Sequence, residues 1–594
     1  MRAKINKIPV VLLWLLLPLL GTAPALAAPG DEPARRLTPR GLENLEAFTR
    51  LLGYVRFFHP SDQAAAADWE RVAIAGVQEA EKAVNAVDLA RTLEDFFRPL
   101  APTLRVYAGD RPALPPELSP PSPDAEVIFW EHRGVDLGLG PTPYSSQRST
   151  ARGTPPASTG LPVPGQPLEV SLGGGVSALF PLTLYRDAGG TIPHTTEPPP
   201  APDKPGSWRA SGNDRATRLA GIAIAWSALR HFYPYFDVIP TDWPGELRKG
   251  LTAAAKDRNE LAFLATARRL SAALHDGHAD VFHSVRRQGF MPQLTWDWIE
   301  DKLVITHAEA GGLRHGDVVL SINGKPTRQA IAAEEPLVSA ATPQWRRWAT
   351  LQYLLEGERN DLLRLKVQRA RGGVANVAVP RTAPIFSDDS FRERRPEKIS
   401  EIRPGIWYVD LDRINDADFR GAIPQLAAAR GVIFDMRGHP TRLSGIVFQH
   451  LMSQEGRAPI LNVPYVTRPD QQGIRFEDRI GRITPASPRI TGRVAFMTDG
   501  RAISAAETFM SIVEAYRLGE IVGATTAGTN GNVNTVRFPG FYFMGWTGMQ
   551  VLKHDGSQHH GVGVRPTVPV SRTLKGVAEG RDEVLEKAIE VVTP

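Results

Sequence analysis

The 594-residue chain contains no cysteine. Disulfides, thiolate nucleophiles and cysteine-based zinc sites are therefore excluded, and several large apolar cores must supply the stability. It also lacks long apolar runs beyond its first twenty residues, so no downstream segment is long enough to cross a bilayer. Neither G-x-G-x-x-G nor G-x-x-x-x-G-K occurs, which removes the usual phosphate-cradling loops and any nucleotide cofactor that depends on them. No His-Glu-x-x-His helix is present. The groups His275, His278, His283 and His554, His559, His560, with Asp276 or Asp280, fit no standard metal frame, and no metal or other cofactor is expected. Charge of one sign is scarce too. Removing Arg2, Lys4 and Lys7 from a formal +5 leaves about +2, which gives no reason to expect a nucleic-acid partner.

What is present begins with those three cations, followed by the apolar run Ile8–Leu20 and the small residues Ala25-Leu26-Ala27. This pattern predicts a cleaved signal peptide over 1–27, and hence a secreted or periplasmic protein without stable membrane insertion. Three stretches dense in proline, glycine and serine follow, at 112–123, 141–167 and 195–207, and predict linkers or long surface loops. Strand-like runs at 126–130 and 168–172 lie between them, so 108–212 is expected to be a small Pro/Gly-rich β domain.

The chain repeats itself on either side of that region. Arg56-Phe-Phe-His-Pro60 answers Arg230-His-Phe-Tyr-Pro234, 174 residues later, and the same interval separates Asp68-Trp69 from Asp242-Trp243 and Leu100 from Leu274. A constant interval across helix-like segments predicts a duplicated helical module, one copy at 37–107 and the other at 213–290. The copies diverge at the end: His275-Asp-Gly-His278 stands where the first has Ala101-Pro-Thr-Leu104, placing Leu104 opposite His278.

Residues 291–382 carry a strand at Leu303, then Gly312-Leu-Arg-His-Gly-Asp-Val-Val-Leu-Ser-Ile-Asn-Gly-Lys-Pro326, with a tight Asn-Gly turn, a helix-like stretch from Pro343 and a further strand at 362–368. This segment resembles a PDZ domain, a resemblance that implies an extended peptide as ligand. From 383 to 580 strand and helix signals alternate. Gly431-Val-Ile-Phe-Asp435 and Arg493-Val-Ala-Phe-Met497 are apolar runs suited to a buried parallel sheet, which predicts an α/β core, with a short tail at 581–594.

Ser504 follows the second of these runs and opens a helical pattern. It could be a helix cap, or a nucleophile at a strand-to-helix corner where free first-turn amides can hold an oxyanion. Five segments decide between these: His275-Asp-Gly-His278, the PDZ-like unit, Phe434-Asp-Met-Arg-Gly438, Ser504-Ala-Ala-Glu507 and Gly561-Val-Gly-Val-Arg-Pro566. In this order they resemble the tail-specific (C-terminal-processing) serine peptidases, in their tricorn-core-like branch, over roughly 213–575. The resemblance implies a multidomain α/β protein with a ClpP/crotonase-like core. It also implies Ser504 as nucleophile, His278 as general base, and amides of Gly438 and Ala505 as the oxyanion hole. A lysine base is excluded, since none occurs between Ser504 and Leu552. Two positions depart from the tricorn-like pattern, Gly277 in place of a serine and His560 in place of a glutamate. The group that orients His278 is therefore open among Glu507, Asp276 and His560. The implied function is exported endoproteolysis or tail trimming of unfolded polypeptide substrates. The alternative is a catalytically inactive peptidase-fold protein that binds peptide or a small hydrophobic ligand.

Overall fold

The structure is a computed structural model that describes residues 28–122, 124–153, 160–284, 289–309, 311–385 and 393–593. The expected signal peptide lies outside the described residues. Among them, no helix is long and apolar enough to cross a membrane.

The half that carries Ser504 is built on a six-stranded sheet in the order Ile399–Arg403, Ile406–Asp410, Gly431–Asp435, Arg493–Thr498, Glu520–Gly523, Val568–Pro569. The first pair is antiparallel and the rest parallel. Its central strands bury both faces, which is why they read as unbroken apolar runs. Phe434, Phe496 and Val432 pack under the helices Asp416–Ala428 and Ala505–Tyr516 on one side. Ile433, Ala495 and Met497 meet the helix Glu583–Val592 on the other, so part of the expected tail belongs to the core. A separate antiparallel sheet spans residues 290–384, with helices Thr327–Glu334 and Pro343–Leu355 packed on it. The Asn-Gly turn is present there, with Asn323 at φ 48° and Gly324 at φ 82°.

The duplication extends to helix boundaries. Trp69–Ala80 and Trp243–Ala254 begin and end at the same 174-residue interval, and Phe58 and Phe232 end the helices Pro39–Phe58 and Arg215–Phe232. The caps are duplicated as well: Asp68 and Asp242 accept from Arg71 N and Gly245 N, and Asn85 and Asn259 from Asp88 N and Ala262 N. Each such cap stabilises its helix by about 1 kcal/mol. The interval then changes. Leu104 N donates to Ala101 O, as Ala279 N does to Asp276 O, and Arg105 and Asp280 open equivalent strands, Arg105–Tyr107 and Asp280–Phe282. These pairs are 175 apart. His275, at φ 49°, is the extra residue in the turn. Thr103, not Leu104, therefore stands where the second copy has His278, a correction the constant interval concealed.

The region 108–212 is not a separate domain. Its hairpin Leu168–Gly173/Val176–Phe180 pairs with Arg105–Tyr107, and its strand Glu126–Arg133 pairs with Ile460–Val466 of the half that carries Ser504. Small clusters of its own, Leu118 with Ile128 and Leu184 and Ala125 with Val127 and Tyr185, lie beside Val170, Leu172, Val176, Ala178 and Phe180, which join the core of the helical copies.

Both helical copies share one hydrophobic core. Within it His59, His132 and His231 are fully buried, and burial lowers their pKa values to about 3, 4 and 3. The unfolded chain titrates near 6.5, so between about pH 6.5 and 4 it binds more protons than the folded chain. Stability from these groups is complete above that window and declines through it on acidification. The thermal midpoint should therefore fall between pH 6.5 and pH 4; a midpoint flat across that range would contradict neutral burial of the three rings.

Candidate active site

Ser504 sits at the junction of the strand Arg493–Thr498 and the helix Ala505–Tyr516, with φ 61° and ψ −120°. A side chain at positive φ stores of order 1–3 kcal/mol, held only where the surroundings over-determine it. Here the Ser504 amide donates to Thr529 O at 2.8 Å, and the next residue already begins the helix. The side chain makes no capping hydrogen bond. The corner therefore presents a hydroxyl that the helix does not use, and the capping role falls away. The amide of Ala505 has no hydrogen-bond partner among the described residues, as expected of a first-turn donor.

His278 is half-buried on a turn that follows the helix Glu260–Ala272. Its amide donates to Asp276 Oδ1 at 3.0 Å, and its Nδ1 lies 2.8 Å from Thr547 Oγ1. Thr547 in turn donates its hydroxyl to Asp276 Oδ1 at 2.7 Å and its amide to Asp276 Oδ2 at 2.6 Å. A threonine hydroxyl has one proton, and it is committed to the carboxylate. The oxygen can then only accept from the ring, so Nδ1 carries hydrogen and Nε2 is bare. Nε2 is buried without a hydrogen-bond partner among the described residues. Burial lowers the His278 pKa, opposed by the charges of Asp276 and Glu507.

The two loops meet through Thr529. Its carbonyl holds Ser504, and its hydroxyl accepts from Gly277 N at 3.0 Å. A Cβ added at Gly277 would stand 2.8 Å from Thr529 Oγ1 and 2.9 Å from Ile503 Cδ1, so the absent side chain lets the histidine turn lie against the residue before Ser504.

The other expected residues take different places. Buried Glu507 accepts from Thr526 Oγ1 at 2.5 Å, Gly528 N at 2.7 Å and Thr529 N at 2.5 Å, and His559 Nε2 lies 3.3 Å from it. It anchors the loop that holds Ser504 and makes no hydrogen bond to His278. His560 stacks on Tyr235 at 4.0 Å, and its Nε2 lies 3.0 Å from His275 O, so it holds the turn by its backbone rather than by the His278 ring. Of the three orienting candidates, Asp276 alone reaches that ring, and it does so through Thr547. The Gly438 amide donates to Met436 O at 2.9 Å and the Thr441 amide to His439 O at 2.8 Å. Gly438 is therefore not an open oxyanion donor in this conformation, because its loop closes on itself in tight turns. His439 borders the site: burial and the charge of His278 lower its pKa to about 4.

Sequence reasoning missed Thr547, Thr529 and His439. No motif marks a threonine at the end of a strand, and His439 is visible only as the neighbour of Gly438. It also missed the segment before the helix Pro343–Leu355, where Ser339 Oγ accepts from Asp276 N at 3.0 Å and Thr342 Oγ1 donates to Ala527 O at 2.6 Å. No group of histidines and acids able to hold a metal occurs among the described residues.

Residues 405–570, which include the strand-to-helix corner, match peptidase family S41. The chain carries a family S41 peptidase domain. It is a serine-type peptidase, in line with the resemblance to tail-specific peptidases. No curated protein sequence matches it. Among solved structures, mature CPAF complexed with lactacystin is similar at 14% identity and a TM-score of 0.52, over 64% of this chain and 97% of that one. Mature CPAF alone gives 14% and 0.50, over 63% and 96%. The photosystem II D1 C-terminal processing protease gives 17% and 0.38, over 62% and 98%. The two CPAF comparisons show that the peptidase shares their fold.

Because Glu507 gathers two amides and a hydroxyl in a buried site, Glu507→Gln should destabilise the peptidase by about 2–4 kcal/mol, the scale of charge-assisted hydrogen bonds lost without solvent to replace them. Denaturant unfolding measures this. A loss under about 0.5 kcal/mol would remove the anchoring role.

Proposed function

We propose that this peptidase is an exported tail-specific endopeptidase that cleaves unfolded polypeptides by a Ser504–His278 mechanism. The observation that carries this is the hydrogen-bond chain Asp276–Thr547–His278, which leaves Nε2 bare on a turn joined through Thr529 to a corner serine whose hydroxyl caps nothing. His278 Nε2 takes the Ser504 proton as the hydroxyl attacks a peptide carbonyl, and the imidazolium returns that proton to the departing amine. Water then attacks the acyl-enzyme by the same route. The Ala505 amide supplies one oxyanion donor, and the second comes from the Gly438 loop once substrate turns it away from Met436; catalytic hydrogen bonds commonly tighten only in the complex. The unit at 290–384 serves as a PDZ-like module that holds extended peptide tails. It abuts the catalytic loops directly, since Gln344 Nε2 donates to Thr526 O at 2.7 Å and Thr342 to Ala527.

The first test is covalent labelling. A fluorophosphonate should modify Ser504, and Ser504→Ala should abolish both labelling and hydrolysis of an unfolded polypeptide while leaving the thermal transition nearly unchanged. Full activity in that variant would remove the nucleophile. The second is the pH profile. With the imidazole favoured neutral by burial, the acid limb should have an apparent pKa below about 6.5. His278→Ala should cost about 10³-fold or more in kcat. Activity still rising through about pH 9 would assign the base to another group.

A further inference from the structure

The duplication runs beyond the helices. In the catalytic half the hairpin Val533–Phe538/Tyr542–Thr547 pairs with Asp280–Phe282, as Leu168–Gly173/Val176–Phe180 pairs with Arg105–Tyr107 in the first half. After these hairpins, Gln550–Leu552 pairs with Ile460–Val466, and Leu184–Asp187 pairs with Glu126–Arg133. Their second neighbours match too, Arg475–Arg479 beside the one and Ser145–Arg152 beside the other. The two central strands are antiparallel to each other, with His132 opposite Val466.

The registers share one symmetry operator. Glu126 faces Arg186 as Ile460 faces Leu552, which carries His132 onto Val466, its own strand partner. Under the helical interval Gly53 corresponds to Ser227, and a Cβ at Gly53 would lie 2.7 Å from that of Ser227. Phe58 corresponds to Phe232, and their rings stack at 6.1 Å. Phe57 to Phe232 at 5.1 Å and Phe58 to His231 at 5.0 Å are the two contacts that such an operator exchanges. All these pairs fit a pseudo-two-fold relation. A self-complementary interface of this kind is the mark of a two-fold dimer. Here both halves lie in one chain, and the first lacks the chemistry: Ala101 and Thr103 stand for Asp276 and His278.

We infer that residues 37–193 act as a covalently attached counterpart of a second subunit, and that their functional contribution is Tyr144, a positioning residue for the catalytic hairpin. The inference rests on the Ser504–His278 mechanism proposed above. The loop between Glu126–Arg133 and Ser145–Arg152 reaches across the pseudo-axis to the open end of the hairpin that carries Thr547. Tyr144 Oη donates to Asn532 O at 2.6 Å, and Asn534 Nδ2 donates to Val135 O at 2.8 Å, so the loop grips the hairpin twice, once just before its first strand and once within it. Gly548, next to Thr547, donates its amide to the same Asn532 carbonyl at 2.9 Å. Its Cα faces the tyrosine so closely that an added Cβ would lie 2.6 Å from Oη. The ring is buried with Val463, Met549 and Val551. Tyr144 therefore sets where Thr547 stands, Thr547 sets the ring of His278, and a residue of the first half acts on the base without touching it.

Tyr144→Phe isolates this contribution, since the ring stays in its pocket and Asn532 O keeps the Gly548 amide, so no buried acceptor is left bare. Three quantities decide the matter in the full chain. On an unfolded fluorescein-labelled polypeptide, kcat should fall about tenfold, the scale of one hydrogen bond, with KM within about twofold. The His278 imidazole titration by NMR, assigned by its loss in His278→Gln, should move up toward about 6.5 as the loosened hairpin admits water. In a double-mutant cycle with Thr547→Val, the Tyr144→Phe penalty should largely vanish, because both act through one hydroxyl. An unmoved titration together with unchanged kcat would overturn the inference, and so would penalties that multiply independently. The titration needs no hydrolysis. If the parent protein cleaves nothing, the Ser–His mechanism fails, while the imidazole shift still reports whether Tyr144 positions the ring.

Discussion

The Asp276 carboxylate is the point on which the rest of the site hangs. It is fully buried and receives the Thr547 amide, the Thr547 hydroxyl and the His278 amide. A buried carboxylate is tolerable only with such a set of donors, and the donors come from two distant stretches of chain. Satisfying the charge therefore joins the end of the second helical copy to the catalytic hairpin. One buried carboxylate does what a disulfide does in many other proteins, in a chain that has no cysteine to offer.

The Ser504 corner and the His278 turn stood out in the sequence because each lies in a short motif whose order carries information, whereas Asp276 was one of three candidates to orient the ring. The α/β core was legible because buried parallel strands leave unbroken apolar runs such as Gly431-Val-Ile-Phe-Asp435. Thr547 was not, because its role depends on which strand the hairpin pairs with, and pairing is a property of register rather than composition. Glu507 was ambiguous for a related reason: an acid one turn after Ser504 suits either a triad or a loop anchor, and its three donors point to the anchor. The region 108–212 was misjudged because its proline-rich stretches suggested linkers, whereas the strands between them are claimed by sheets belonging to other parts of the chain. The one-residue insertion at His275 shows the same limit at small scale. A repeat is found by its interval, but a change in interval is visible only in hydrogen bonds.

Duplication followed by divergence accounts for how the halves differ. The contacts between them must be preserved, and Phe58 with Phe232, Gly53 with Ser227 and His132 with Val466 remain close-packed. The position corresponding to Asp276 bears no such demand in the first half, and Ala101 fills it with apolar volume. The catalytic half keeps its strain at Ser504, and the first half supplies rigid support. Stability and chemistry have thus been allotted to different copies of one module.

Joining the two halves in a single thread changes how the assembly responds to its surroundings. Subunits held by a surface of this kind separate when diluted, and their activity per molecule follows mass action. A tethered partner keeps an effective concentration fixed by the chain itself, however few molecules are present. However dilute the protein becomes, the pseudo-axis turns an equilibrium into a permanent fact of covalent structure.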